Sequence, residues 1–223
     1  MGRRGVLAVV VVLLVGSAAA FTRTEKLKLE PAPVAKPQFE RHLSPGCDCR
    51  RDTASLSFLL RRPEQLDVAV VDIDGRRVAT LARSKDFEAG RVSFDWDGRN
   101  EEGAVVPDGP YRLRVHLRND GRTILVPATI RVDSAPPHIR VVGVDQTDGI
   151  VVRYHMDEAG KALLLADGKV VARGMRHRAG NWPLSWTNST ESGRSGSLEL
   201  TLVGIDQAGN RSAPTTPVQV ELP

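Results

Sequence analysis

Residues 89–98 read AGRVSFDWDG, and residues 179–188 read AGNWPLSWTN. Both follow one pattern, Ala-Gly-x-apolar-x-apolar-x-Trp. Successive side chains of a strand point to opposite sides, so this alternation is that of a strand with one buried face. In the first copy Val92, Phe94 and Trp96 point inward. A pattern repeated ninety residues apart predicts one β-domain built twice. Each copy of the strand then ends in a tryptophan that fills the core between two sheets.

The sequence around each copy supports this. Before the first lie ASLSFLLRR (54–62) and QLDVAVVD (65–72), both with period 2. The tight-turn signal DIDG (72–75) and the returning stretch RRVATLA (76–82) follow. After it come PYRLRVHL (110–117), with Tyr111, Leu113, Val115 and Leu117 on one face, and TILVPATIRV (123–132). About seven strands in ninety residues is the expectation for a two-sheet sandwich. The second unit repeats the plan with HIRVVGV, GIVVRYHM, KALLLADGKVVARG, SLELTLVGIDQAGNRS and PVQVEL. VDSAPPH (132–138) separates the units, and its two prolines stiffen the joint.

The chain has 223 residues, 4% of them aromatic, with 20 Gly and 14 Pro. That composition favours short strands and turns over long helices. The net charge of +4 lies wholly in residues 1–43, because residues 44–136 and 137–223 each carry equal numbers of basic and acidic side chains. A nucleic-acid binder needs its cationic face on the folded part, so nucleic acid is not the expected partner. Here the positive charge flanks the apolar run GVLAVVVVLLVGSAAAF (5–21). The run reads as a signal anchor through residues 5–21, spanning about 26 Å as a helix. The alternative is a signal peptide cleaved near Ala20. Either places the rest outside the cytoplasm, the anchor making a single-pass cell-membrane protein. Residues 22–45, with Pro31, Pro33, Pro37 and Pro45, read as a semi-rigid juxtamembrane stalk. The expected organisation is all-β: two tandem Ig-like β-sandwiches, 46–134 and 135–223, after an N-terminal apolar helix and the stalk.

Cys47 and Cys49 are the only cysteines. A local disulfide is the first reading in an oxidising compartment. A thiol or metal carrier, with His42 as a third ligand, is an alternative. The loop acids and amide Asp97, Asn100, Glu101 and Glu102, with Asp95 before them, are candidate partner contacts. They do not make an EF-hand, since Arg99 stands where a ligand oxygen is needed. Arg112, Arg114 and Arg118 with His116 line the outer face of one strand and suit an anionic partner. A nucleophile elbow, a zinc-type His pair, a phosphate-cradling glycine loop and a kinase set are all missing from the sequence. No enzymatic activity and no cofactor are expected.

The stretch FDWDGRNEEGAVVPDGPYRLRVHL (94–117) resembles the Ig-like domain of the flagellar hook-capping protein, a module also found in some large secreted bacterial proteases. Trp96, Asp97, Gly98, Gly103, Val106, Pro107, Gly109 and Tyr111 carry the resemblance, over residues 50–132. It implies a bacterial, extracytoplasmic sandwich used in assembly or spacing, without catalytic residues. The second unit lacks W-D-G and V-P-x-G; its DQAGNRS (206–212) resembles generic bacterial Ig-like or fibronectin type III repeats. The expected function is binding, assembly or spacing in the envelope, with another envelope protein or a surface polymer as partner. An accessory role in hook assembly is the alternative.

Overall fold

A computed structural model describes residues 12–17, 32–147, 149–187 and 196–222. The apolar leader falls mostly outside the described residues. Residues 12–17 alone are described, as α-helix. Among the described residues no helix is long and apolar enough to cross a membrane, a statement that does not bear on membrane-crossing strands.

The rest is β-structure. The first unit holds β1 (Val34–Phe39), β2 (His42–Leu43), β3 (Ala54–Leu60), β4 (Glu64–Val71), β5 (Arg77–Phe87), β6 (Gly90–Trp96), β7 (Gly109–Leu117) and β8 (Arg122–Val132). They form a three-stranded sheet, β1-β3-β6, and a five-stranded sheet, β2-β8-β7-β4-β5. The alternating apolar residues meet between these sheets. Leu56, Phe58, Leu66, Val68, Leu113, Val115, Leu117 and Ile130 are all fully buried in one cluster. The polar alternates face outward because a one-residue slip would exchange the two faces.

The second unit holds β9 (Ile139–Asp145), β10 (Ile150–Met156), β11 (Gly160–Ala166), β12 (Lys169–Arg173), β13 (Gly180–Trp186), β14 (Gly196–Asp206) and β15 (Val218–Leu222). Its sheets are β13-β10-β9 and β12-β11-β14-β15. A separate core gathers Val152, Tyr154, Met156, Leu164, Leu200 and Leu202. Asp167 and Gly168, at φ 47 and 75, make the two-residue turn between β11 and β12. Both central positions need positive φ in such a turn, which an Asp-Gly pair tolerates.

The repeated strand occupies matching places. β6 pairs antiparallel with β3, Trp96 opposite Ala54. β13 pairs antiparallel with β10, Trp186 opposite Ile150. The tryptophans differ in depth, however. Trp96 is 3% exposed and sits edge-on to Tyr111 at 5.3 Å. Trp186 is only half-buried and packs at the rim of its core. The second core is filled chiefly by Tyr154, Met156 and leucines, so a second tryptophan plug is not needed.

The stalk reading needs correction over residues 34–43. β1 pairs with β3, and β2 runs parallel to β8, His42 opposite Arg131. Val34 and Leu43 belong to the first core, and Leu43 is fully buried. Burying such a side chain stabilises by about 2 kcal/mol, which favours docking over free extension. Pro37 is accommodated because the β1–β3 register shifts between Ala35 and Gln38. A bulged edge strand tolerates a residue without an N–H. Six strands thus lie within residues 46–134, and the upstream segment supplies the other two.

Candidate binding surfaces and the domain joint

The W-D-G loop is built by its own residues. Trp96 ends β6 with its ring in the core, and its indole N–H donates to the Arg99 carbonyl at 2.9 Å. Gly98 has φ +75, and a side chain there would collide with the Pro45 ring. The Asn100 side-chain oxygen accepts from the backbone N–H of Glu102 (3.1 Å) and of Ala104 (2.8 Å). Tyr111 donates its hydroxyl to the Pro107 carbonyl at 2.7 Å, and burial pushes its pKa up. These motif positions shape the loop.

The predicted contact residues of that loop therefore divide. Asn100 is committed to the turn. Glu101 accepts from Thr80 Oγ1 at 2.5 Å and lies 3.8 Å from Arg77 Nε. Asp97 accepts from the Arg99 backbone N–H at 3.1 Å, while its side chain stays exposed. Glu102 is exposed. Arg112 and Arg114 on β7, with Arg118 just past its end, alternate with the core residues and project from the outer sheet face. Arg114 donates to the Gly75 carbonyl at 3.1 Å. Arg118 Nε lies 2.9 Å from Asp67 Oδ2.

Cys47 and Cys49 are bonded to each other, with Cα atoms 5.2 Å apart. Both sulfurs sit in one bond, so neither offers a thiolate to a metal or a redox partner. The loop 44–52 that carries them faces the second domain. Ser44, buried, donates its hydroxyl to Asn210 Oδ1. The Asn210 side-chain amide donates to the Asp133 carbonyl at 2.8 Å and to Asp206 Oδ2 at 2.7 Å. Cys49 Sγ lies 4.0 Å from the Ala208 carbonyl oxygen. Gly209 has φ +97, and a Cβ there would stand 2.8 Å from Cys49 Sγ. The stretch DQAGN, residues 206–210, forms the second domain's side of this joint. In the fold Asp206 is fully buried, and its carboxylate also accepts the backbone N–H of Gly209 (2.6 Å) and Asn210 (2.9 Å). The usable signal was a carboxylate three and four residues before a Gly-Asn pair, an Asx-type turn.

Around this joint the charges crowd. Asp133, Glu158 and Asp206 each offer an oxygen within 4.8 Å of the others, the one such cluster of three ligand-type groups among the described residues. Oxygen donors of this kind suit a hard divalent cation. Glu158 is pushed up to about 7 by burial, then by the carboxylates of Asp206, Asp133 and Asp157. Asp133 is raised by burial and by Asp206. His42 is lowered by burial and by Arg51, and its Nδ1 is buried without a hydrogen-bond partner.

Comparison with known proteins bears on the first unit. Residues 51–121 match the family model of the FlgD Ig-like domain. A stretch of 74 residues is 33% identical to the basal-body rod modification protein FlgD of Salmonella typhimurium, and equally to that of Salmonella typhi. The alignment covers 33% of this chain and 32% of those proteins. The chain thus spans about a third of the length of the curated relatives it matches. Among solved structures, the fibronectin(III)-like modules of Clostridium thermocellum CbhA align over 84% of this chain and 94% of theirs, with 13% identity and a TM-score of 0.41. FlgD from P. aeruginosa aligns over 55% of this chain and 88% of its own, with 21% identity and a TM-score of 0.32.

Proposed function

We propose that this protein is a non-catalytic assembly module of the bacterial envelope whose tandem β-sandwiches bind a partner protein, with an accessory role in flagellar hook assembly. One observation carries the reading: residues 51–121 match the FlgD Ig-like domain family. The relatives that share it are basal-body rod modification proteins. The joint adds support, because a domain pair tied through Ser44, Asn210 and Cys49 presents its faces at a set spacing. The basic-then-apolar pattern of residues 1–21 favours placement outside the cytoplasm, by membrane anchorage or by export with cleavage near Ala20.

The test is in-cell crosslinking of the tagged full chain in a flagellated producer, followed by mass spectrometry of the captured proteins. Hook or basal-body subunits crosslinked through residues 51–121 would support the reading. Intact hooks and no envelope crosslinks, in cells that assemble flagella normally without the chain, would refute it.

A further inference from the structure

The outer face of the five-stranded sheet carries a cleft of about 400 Å³ that spans β7, β4 and β5. Its floor is low because Ala69, between Arg114 and Thr80, faces outward there. Four arginines border it: Arg114 from β7, Arg118 just past the end of β7, and Arg77 and Arg83 from β5. Arg83 owes its place to a bulge. Leu66 pairs with Lys85 and Val68 with Ala82, so Arg83 and Ser84 together oppose Asp67. Such a bulge re-aims a side chain. It is stabilised by Asp67, whose carboxylate accepts the Ser84 backbone N–H at 2.6 Å.

The charges of the cleft do not balance. Arg118 is paired with Asp67, and Arg77 stands near Glu101. Arg114 has a carbonyl partner only. Arg83 makes no hydrogen bond or ion pair with any described residue. Two cations therefore border the cleft diagonally, Arg83 in the row of Asp67 and His116 and Arg114 two residues along in the row of Ala69, with backbones about 12 Å apart from two strand spacings and two residues of rise. Guanidinium forks match carboxylates in shape and charge. No Phe, Tyr or Trp lines the cleft, and its one imidazole, His116, is held to Thr123 at 2.9 Å, so it lacks the broad stacking platform that sugars and bases use.

We propose that this cleft binds an extended acidic peptide segment of a partner protein, its carboxylates taken by Arg83 and Arg114. On an extended peptide, side chains at i and i+2 share one face about 7 Å apart, within reach of two arginines on opposite walls. The proposal deepens the assembly reading by naming the chemistry of the partner.

The experiment measures fluorescence anisotropy of labelled hexaglutamate against the full chain, with hexalysine and a sulfated oligosaccharide as comparators. Saturable, salt-sensitive binding of hexaglutamate is expected. It should weaken about tenfold in the Arg83→Gln/Arg114→Gln protein, as loss of two exposed charge contacts predicts. Arg173→Gln in the second domain should leave it unchanged. The Arg83→Glu/Arg114→Glu protein should bind hexalysine instead, an outcome that misfolding would not produce. Equal hexaglutamate binding by wild type and the Gln pair would overturn the proposal, as would binding of the oligosaccharide without the peptide. Failure here alongside crosslinks to hook subunits removes the cleft and leaves the assembly reading. Peptide binding without any envelope crosslink does the reverse.

Discussion

Glu158 makes the stability of this protein depend on pH in a direction opposite to ordinary acid denaturation. Burial and three nearby carboxylates lift its pKa from 4.5 to about 7. Between those values the folded chain holds a proton at Glu158 that the unfolded chain has released. The contribution is therefore complete below about pH 4.5 and is lost as the pH rises through about 7. A shift of about 2.5 units corresponds to about 3.4 kcal/mol at most. Glu158 is only partly buried, and solvent screening reduces this to about 1–2 kcal/mol. His42, held low by burial and Arg51, acts in the opposite sense: its contribution is present above its unfolded pKa near 6.5 and falls away in acid. His42 is common to wild type and a Glu158 variant and cancels in their difference, so the informative window is about pH 4.5 to 8. Urea unfolding of wild type and Glu158→Gln, in chelator so that no cation neutralises the cluster, reads the difference. We expect wild type to lose about 1–2 kcal/mol relative to the variant as the pH rises, leaving Glu158→Gln the more stable at pH 8. Parallel pH profiles would show that the carboxylates at the joint do not interact as their positions require.

Three further outcomes are expected. Trp96→Ala, which empties a core position, should cost about 3–5 kcal/mol in denaturant unfolding, whereas Trp186→Ala at the half-exposed rim should cost clearly less; equal losses would contradict the different depths. Leu43→Ala should destabilise the first domain by about 2–5 kcal/mol, while a stalk residue would give no change in the same assay. Gly209→Val places a β-branched side chain at φ +97 against Cys49 and should cost about 1–3 kcal/mol. It should also open residues 133–137 to limited proteolysis, with cleavage at the wild-type rate counting against a closed joint.

The elements that could be read in advance are those whose information is local. Leu56-Phe58-Leu60 and Tyr111-Leu113-Val115-Leu117 alternate within a single strand, and the turn residues Asp72 to Gly75 and Asp167-Gly168 carry their own backbone preference. The outward placement of Arg112, Arg114 and Arg118 followed from the same alternation. The strand character of residues 34–43 was hidden. Prolines interrupt the alternation there, and its reason lies in partners elsewhere: β3 for β1, and β8, some ninety residues on, for β2.

The two places with the most concentrated chemistry were also out of reach. Asp133, Glu158 and Asp206 come from the inter-domain linker, a turn and the end of a long strand, and no spacing rule links them. The cleft depends on a bulge that sets Arg83 diagonally across an intervening strand from Arg114. Side-chain alternation and turn chemistry act over two to four neighbouring residues, so the chain order alone was enough to specify an all-β molecule with a repeated strand. Burial, charge crowding and strand pairing act through space, so only the folded arrangement decided where its charges meet and how its two domains join.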